Sequence, residues 1–409
     1  MMAASPHTRW YFTPAVIIVA GCLVAMVNFG VRSSFGLFTG PISLAHEWPR
    51  EIFSFAIALQ NLLWGVATPI AGALADRYGA ARVLMVGAVF YAVGTIIMAV
   101  ADAPLLFSIG GGILVGIGVA MSSFGIVMAA LGRMVPPEKR SWAFGIATAS
   151  GSMGQFIFAP LGGALISAYG WHNALLFLAA STLLIVVFAV PLLVQNTSGS
   201  RAPAGEMDIT LRAAITRAFG HRSYVLLISG IFVCGFQLAF ITVQLPPYLA
   251  EHGISKELAG LAMGAIGLFN VAGSYASGMI GGRFQKRLPL SLIYLLRSMA
   301  IAGFILLPVT PLSTFTFTAT MGFLWLSTVP LTMGLVTVMF GTRYMATLYG
   351  FVFLSHQVGS FFGVWLGGRL YDQFGSYDIV WWMGVALGVF AAIVHLPIRE
   401  QRSPQFAAA

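Results

Sequence analysis

The chain has 409 residues, of which 58% are apolar and 8% charged, with a formal net charge of +9 and a mean hydropathy of +0.90. Soluble domains carry about 25% charged residues, so a bulk soluble fold is excluded and a polytopic membrane protein remains. The basic residues are spread over short loops and form no single basic domain, which argues against nucleic acid as a partner.

The first residues, 1–8, lack a charged n-region with a small-residue cleavage site. The apolar run behind them is longer than a signal h-region, so it reads as a retained span. Apolar runs of about 20 residues, enough to cross a bilayer, lie near 13–39, 52–74, 81–100, 104–131, 141–165, 173–194, 223–248, 257–281, 289–308, 313–339, 345–370 and 379–397. That makes twelve helical spans, referred to here as spans one to twelve. Cys22 and Cys234 fall inside spans far apart in sequence, so neither a disulfide framework nor a metal or cofactor site is expected.

Lys and Arg fix the orientation. With both termini on the cytoplasmic side of the cell (inner) membrane, sixteen of them face inward and only Arg50, Lys256 and Arg369 face outward. Between spans six and seven lies the longest polar stretch, 195–222, with a short interfacial helix expected over 209–219. It divides the chain into an N-terminal six-helix bundle, 1–195, a cytoplasmic linker, 196–222, and a C-terminal six-helix bundle, 223–409.

After span two comes Gly72-Ala-Leu-Ala-Asp76-Arg77-Tyr-Gly79-Ala-Ala-Arg82, and after span eight Gly278-Met-Ile-Gly-Gly282-Arg283-Phe-Gln-Lys286-Arg287. The first resembles the loop signature of the major facilitator superfamily, Gly-x-Leu-x-Asp-Arg-x-Gly-Arg-x-Arg/Lys. The second is a degenerate copy with Gly282 in place of the Asp, as two related halves would give. Asp76 can cap a nearby helix N-terminus while the basic residues meet lipid phosphates. The resemblance further implies an all-α fold of two six-helix bundles and a gating role for Asp76 and Arg77. Span five, with Gly154, Pro160, Gly162 and Gly163, is similar to the Gly/Pro-rich fifth helix of exchangers in that superfamily. Close helix packing explains its glycines equally well.

All twelve acidic residues fall in loops or at helix ends, whereas Arg32 and Arg297 lie within spans. A cation in hydrocarbon costs about 3 kcal/mol on insertion scales, so Arg32 marks a candidate site whose counter-charge arrives as cargo. Asn28, Arg32 and Phe35 recur at i, i+4 and i+7 on one helix face. Arg32 lies roughly 13 Å from the outer end of its span, so a head snorkelling to the interface is the competing reading.

The run Asn28-Phe-Gly-Val-Arg32-Ser-Ser-Phe35-Gly-Leu-Phe38 resembles the first helix of the monocarboxylate transporter family, where a Lys aligns with Arg32. The whole chain is similar to bacterial relatives of that family and of the oxalate–formate exchanger group. Those relatives commonly carry an Arg on span eight that clamps the substrate carboxylate, and Ser274 aligns with it here. Either Arg32 holds the anion with the neutral donors Asn270, Ser274 and Tyr275, or Arg297 replaces the missing charge. Arg297 reads equally well as a structural Arg on a peripheral helix. His356 and Gln357 lie midway along span eleven. His356 is either a pH-sensitive group or a neutral hydrogen-bonding partner. Gln60, Asn61, Gln155, Gln237, Gln244, Tyr248 and Trp325 are further candidate lining groups.

These features point to a secondary active transporter that moves a small organic anion, a mono- or dicarboxylate, by alternating access and functions as a monomer among membrane lipids. If a proton is coupled, His356 or the substrate's own carboxylate carries it. The alternative is an exporter of neutral or amphipathic compounds. No enzyme motif of the His-Glu-x-x-His or Gly-x-Ser-x-Gly kind is present.

Overall fold

The computed structural model describes residues 13–197 and 209–406, and the regular structure within them is entirely helical. Among the described residues, ten helices are long and apolar enough to cross a membrane. One of them, Pro137–Leu193, is two spans in succession, broken at Gly170 with φ 76°. With Met345–Phe374 added, the count reaches the expected twelve. The helices satisfy their own backbone polar groups, which is what a chain in hydrocarbon requires. Several starts are set by local chemistry. Thr310 and Ser313 form a reciprocal capping box ahead of Pro311, and the Ser255 hydroxyl accepts from Leu258 N at 3.3 Å.

Spans four and ten depart from a simple rod, and they do so at matching places in the two halves. Span four, Pro104–Met134, contains a π-helical stretch at Ile109–Leu114 and breaks at Ser122 and Ser123 before an 11-residue helix, Phe124–Met134. Span ten, Pro311–Phe340, breaks at Trp325 to Ser327 before a 13-residue helix, Thr328–Phe340. Backbone groups freed inside a membrane protein must find other partners, and here side chains supply them. Asn28 Nδ2 donates to Val119 O at 3.4 Å and to Ser122 Oγ at 2.5 Å. At the second break Asn270 Oδ1 accepts from Leu326 N at 3.0 Å, and the Ser277 hydroxyl donates to Ser327 O.

One core fills the N-terminal half around Val24, Phe35, Tyr91, Val127 and Phe144, and takes in Met333, Met345 and Tyr349 from the other half. Two further cores fill the C-terminal half, one around Tyr224, Tyr294 and Leu335 and one around Phe240, Phe304 and Trp381. Several loops converge on a single face. Lys286 pairs with Glu400 at 2.8 Å, Ser403 N donates to Met339 O at 2.9 Å, and the Tyr344 hydroxyl donates to Ile209 O at 2.6 Å. This face carries the C-terminal segment and the Asp76 loop, and is called the loop face below. Residues 198–208 of the expected linker, and the start at 1–8 that reads as having no cleaved signal, lie outside the described residues. The short helix expected over 209–219 is present as Leu211–Phe219, capped by Thr210.

Candidate site at the seam between the two halves

Arg32 projects from span one, Pro14–Ser34, toward span two, Arg50–Tyr78. Its Nη2 donates to Asn61 Oδ1, and its guanidinium lies 4.5 Å from the centroid of the Trp64 ring. Its Nε is buried and has no acceptor. Asn61 and Trp64 are both neutral, and no carboxylate pairs with Arg32 among the described residues. Its head is engaged inside the protein, so the snorkelling alternative does not describe this arrangement.

The other half meets this group directly. Trp64 packs on Phe353 of span eleven at 4.8 Å between centroids, and Phe353 stacks on His356 at 5.5 Å. Gln357 Nε2 donates to Asn61 O at 3.1 Å, and His356 Nδ1 lies 3.2 Å from Gln357 Oε1. Arg32, Asn61, His356 and Gln357 are all half-buried. Residues from both halves therefore gather at one level of the seam: a guanidinium, two amides, an imidazole and an aromatic floor.

From that level to the loop face the halves are bonded together. Asp76 Oδ2 accepts the backbone N–H of Thr347 at 2.9 Å and its hydroxyl at 2.7 Å, so this carboxylate caps the start of span eleven from across the seam. Asp76 also pairs with Arg133, which donates to Thr342 O and Arg343 O, each at 2.9 Å. Ser152 Oγ accepts from Asn270 Nδ2 at 2.7 Å. The glycines that open the two loop motifs explain the close approach. A Cβ on Gly72 would stand 2.5 Å from Ala346 O, and one on Gly278 would stand 2.5 Å from Gly145 Cα. Among the described residues, these hydrogen bonds between the halves all lie between this level and the loop face. The protein is thus closed on the loop face, with the Arg32 group at the inner end of the unbonded part of the seam.

The remaining expected site residues are placed differently. Asn28 is 1% exposed and braces the break in span four; Phe35, also 1% exposed, packs on Tyr91 at 6.3 Å. Successive residues turn about 100° along a helix, which puts Phe35 and Arg32 about 60° apart, and only the longer side chain reaches span two. Asn270 and Ser274 are buried in the seam with span five, and Ser274 Oγ donates to Asn270 Oδ1 at 3.2 Å. Tyr275 is 39% exposed and points away from them. Neither buried pair nor exposed ring joins Arg32. The resemblance implied a gating role for Arg77, but Arg77 is exposed and stacks on Tyr78, and it is Arg133 that pairs with Asp76 and reaches across the seam.

Arg297 of span nine, Arg287–Leu306, is 0% exposed and sits in the C-terminal half. Its Nε donates to Leu324 O at 3.2 Å, and its Nη2 donates to Leu324 O at 2.6 Å and to Trp325 O. It therefore holds the last carbonyls before the break in span ten. Its Nη1 donates to Cys234 Sγ at 3.3 Å. Trp64, Cys234, Arg133 and Tyr349 were not singled out in the sequence as site residues. The one available signal for Arg133 was its place among the loop cations, and the other three look like core residues. A cleft of about 980 Å³ lined by Phe269, Met299, Phe304 and Phe323 opens between spans eight, nine and ten and includes neither Arg32 nor His356. No group of three or more metal-ligating side chains occurs among the described residues.

The profile of the Major Facilitator Superfamily matches residues 21–364. The MFS-type transporter YcxA of Bacillus subtilis is 24% identical over 97% of this chain and 96% of its own. Monocarboxylate transporter 13 of Rattus norvegicus is 24% identical over 88% of this chain and 83% of its own. Among solved structures, the Escherichia coli fucose:proton symporter FucP superposes with a TM-score of 0.70 at 15% identity, covering 95% of this chain and 99% of that one. The proton:xylose symporter XylE superposes with a TM-score of 0.67 at 15% identity, covering 93% and 94%.

Proposed function

This chain belongs to the major facilitator superfamily and is a multi-pass membrane transporter, not an enzyme, and on that premise we propose that its cargo is a small organic anion of the mono- or dicarboxylate class. One observation carries the reading: Arg32 has a buried Nε without an acceptor and only neutral neighbours. A carboxylate supplies what that guanidinium lacks, a negative charge and two oxygens for a planar fork. The aromatic floor of Trp64 holds the cation from below by about 0.5–2 kcal/mol. Relatives named as monocarboxylate transporters support the same class of cargo.

Transport follows by alternating access between bundles 1–195 and 223–409, joined through 196–222. An incoming carboxylate takes Arg32 Nη2 from Asn61, whose backbone carbonyl is bonded to Gln357 across the seam. Cargo binding is thereby linked to the contacts that join the halves. The Asp76–Thr347 and Arg133 contacts then release as the loop face opens. In this proposal that face is cytoplasmic, a reading that the distribution of Lys and Arg supports, and the protein works as a monomer in the inner membrane. In this scheme a coupled proton travels with the anion.

Uptake of labelled mono- and dicarboxylates into proteoliposomes tests this, with Arg32→Ala beside the unaltered protein. Saturable uptake of at least one such anion, lost in Arg32→Ala, is the expected result. Equal flux in both would remove Arg32 from the mechanism.

A further inference from the structure

Arg297 poses a second charge problem. It is fully buried, and the groups around its guanidinium are two carbonyls, the Tyr294 ring at 5.4 Å and the sulfur of Cys234 at 3.3 Å. Of these only Cys234 can carry a negative charge at ordinary pH, and a buried guanidinium without a counter-charge is strongly disfavoured. The thiol is 1% exposed and lies 3.5 Å from Thr328 Oγ1. His356 interacts with the same sulfur from span eleven. From His356 a continuous set of contacts runs through Gln357 and Asn61 to Arg32.

We propose that Cys234 and His356 form the proton-binding site of this transporter, with Cys234 a thiolate paired to Arg297 when the site is empty. The proposal rests on the transport reading above and adds to it the group that takes the proton. The step is a simple protonation. A proton enters at the half-buried imidazole of His356 and passes to Sγ, where the thiolate becomes a thiol. On the other side of the membrane it leaves by the same route.

The charges then balance. The empty site holds Arg32, Arg297 and the thiolate, a net +1. With one monoanion on Arg32 and one proton on Cys234 the net charge is again +1. With the anion alone it falls to zero. Anion and proton therefore bind without altering the charge that the moving halves carry, which makes the symport electroneutral.

Every titratable or charged group facing the sulfur can be named. Span nine brings Arg297 and Tyr294, span eleven brings His356 and Tyr349, and span ten brings only the neutral Thr328. His395 of span twelve stacks on the far side of Tyr294 at 5.0 Å. The hydroxyl of Tyr294 is buried beside this cluster and faces the Cys234 sulfur.

The protein has two cysteines, so Cys22→Ser leaves Cys234 as its single thiol. Thiolate absorbance near 240 nm is followed with pH in purified Cys22→Ser, and the Cys22→Ser/Cys234→Ser signal is subtracted. A thiolate signal already present at about pH 7.5 is expected. A step only above pH 9 overturns the proposal, whether or not any carboxylate is carried. In pyranine-loaded proteoliposomes, external lactate should acidify the lumen beyond protein-free vesicles, with no change when valinomycin and potassium clamp the potential. Cys234→Ser and His356→Gln should each lose at least tenfold of this proton-driven uptake, and in Cys234→Ser, which lies away from Arg32, labelled lactate should still exchange for unlabelled lactate. Unchanged proton-driven uptake in both variants overturns the proposal. If the unaltered protein carries no carboxylate at all, the cargo reading fails and the absorbance titration alone decides the thiolate site.

Discussion

The carboxylate of Asp76 on span two caps the first turn of span eleven by accepting both the backbone N–H of Thr347, at 2.9 Å, and its hydroxyl, at 2.7 Å. A residue at the end of one helix thereby completes the start of another in the opposite half. The same carboxylate is tied to Arg133, which reaches the carbonyls of Thr342 and Arg343. One acidic side chain thus gathers three segments on the loop face.

Asp76→Asn removes the charge from that latch. Hydrogen bonds to charged groups are worth about 1.5–3 kcal/mol each, so the ratio of closed to open molecules on the loop face should fall roughly 10- to 100-fold. Spin labels at Tyr78 and Phe284, both exposed, would report this as a longer and broader distance distribution. An unchanged distribution would show that the Asp76 contacts do not hold the closed state.

Gly278→Leu should block closure by steric means. The new Cβ would lie 2.5 Å from Gly145 Cα, backbone that cannot move aside without separating spans five and eight. The expected outcome is near-complete loss of transport with anion binding retained, and the same label pair held at its longer distance. Normal turnover in this variant would mean that the cycle never passes through this contact.

Arg32→Ala and Arg32→Lys separate charge from shape. Alanine removes the partner of the anion and should weaken binding at least tenfold. Lysine keeps the charge but loses the fork and the stacking on Trp64, giving an intermediate affinity. Isothermal titration with the transported anion reads both. Thermal stability without ligand should hold steady or rise in Arg32→Ala, because a cation with an unpaired buried Nε is removed.

Arg297→Ala should behave in the opposite way. Its loss leaves the carbonyls of Leu324 and Trp325 without their donor at the break in span ten. A cost of about 3 kcal/mol or more follows for buried groups of this kind. The unfolding midpoint in detergent should therefore drop well below that of Arg32→Ala. Equal midpoints for the two variants would contradict the structural part assigned to Arg297.

The resemblance to the superfamily loop pointed to Gly72 and Asp76, and the structure supplies their physical reasons. The opening glycine of each copy marks where two backbones meet across the seam. The Asp does what the isolated motif suggested, capping a helix N-terminus. That helix is nearly three hundred positions away in sequence and lies in the other half.

Twelve spans, the two-half plan and the reason to single out Arg32 were all legible in the sequence alone. Each depends on quantities that are local to the chain: the length of an apolar run, the placement of charged loops, and a cation in hydrocarbon without an acid in its own segment. Only the tertiary structure decided which polar side chains meet. In a bundle every face of a helix can touch protein, so periodicity could not tell that Asn28 braces a break while Arg32 faces Asn61 and Trp64. It equally could not tell that Cys234, an ordinary core residue by composition, lies against the one guanidinium of the C-terminal half that is buried in a span. Those pairings are made between helices distant in sequence, and the free energy that selects them appears only when the helices pack.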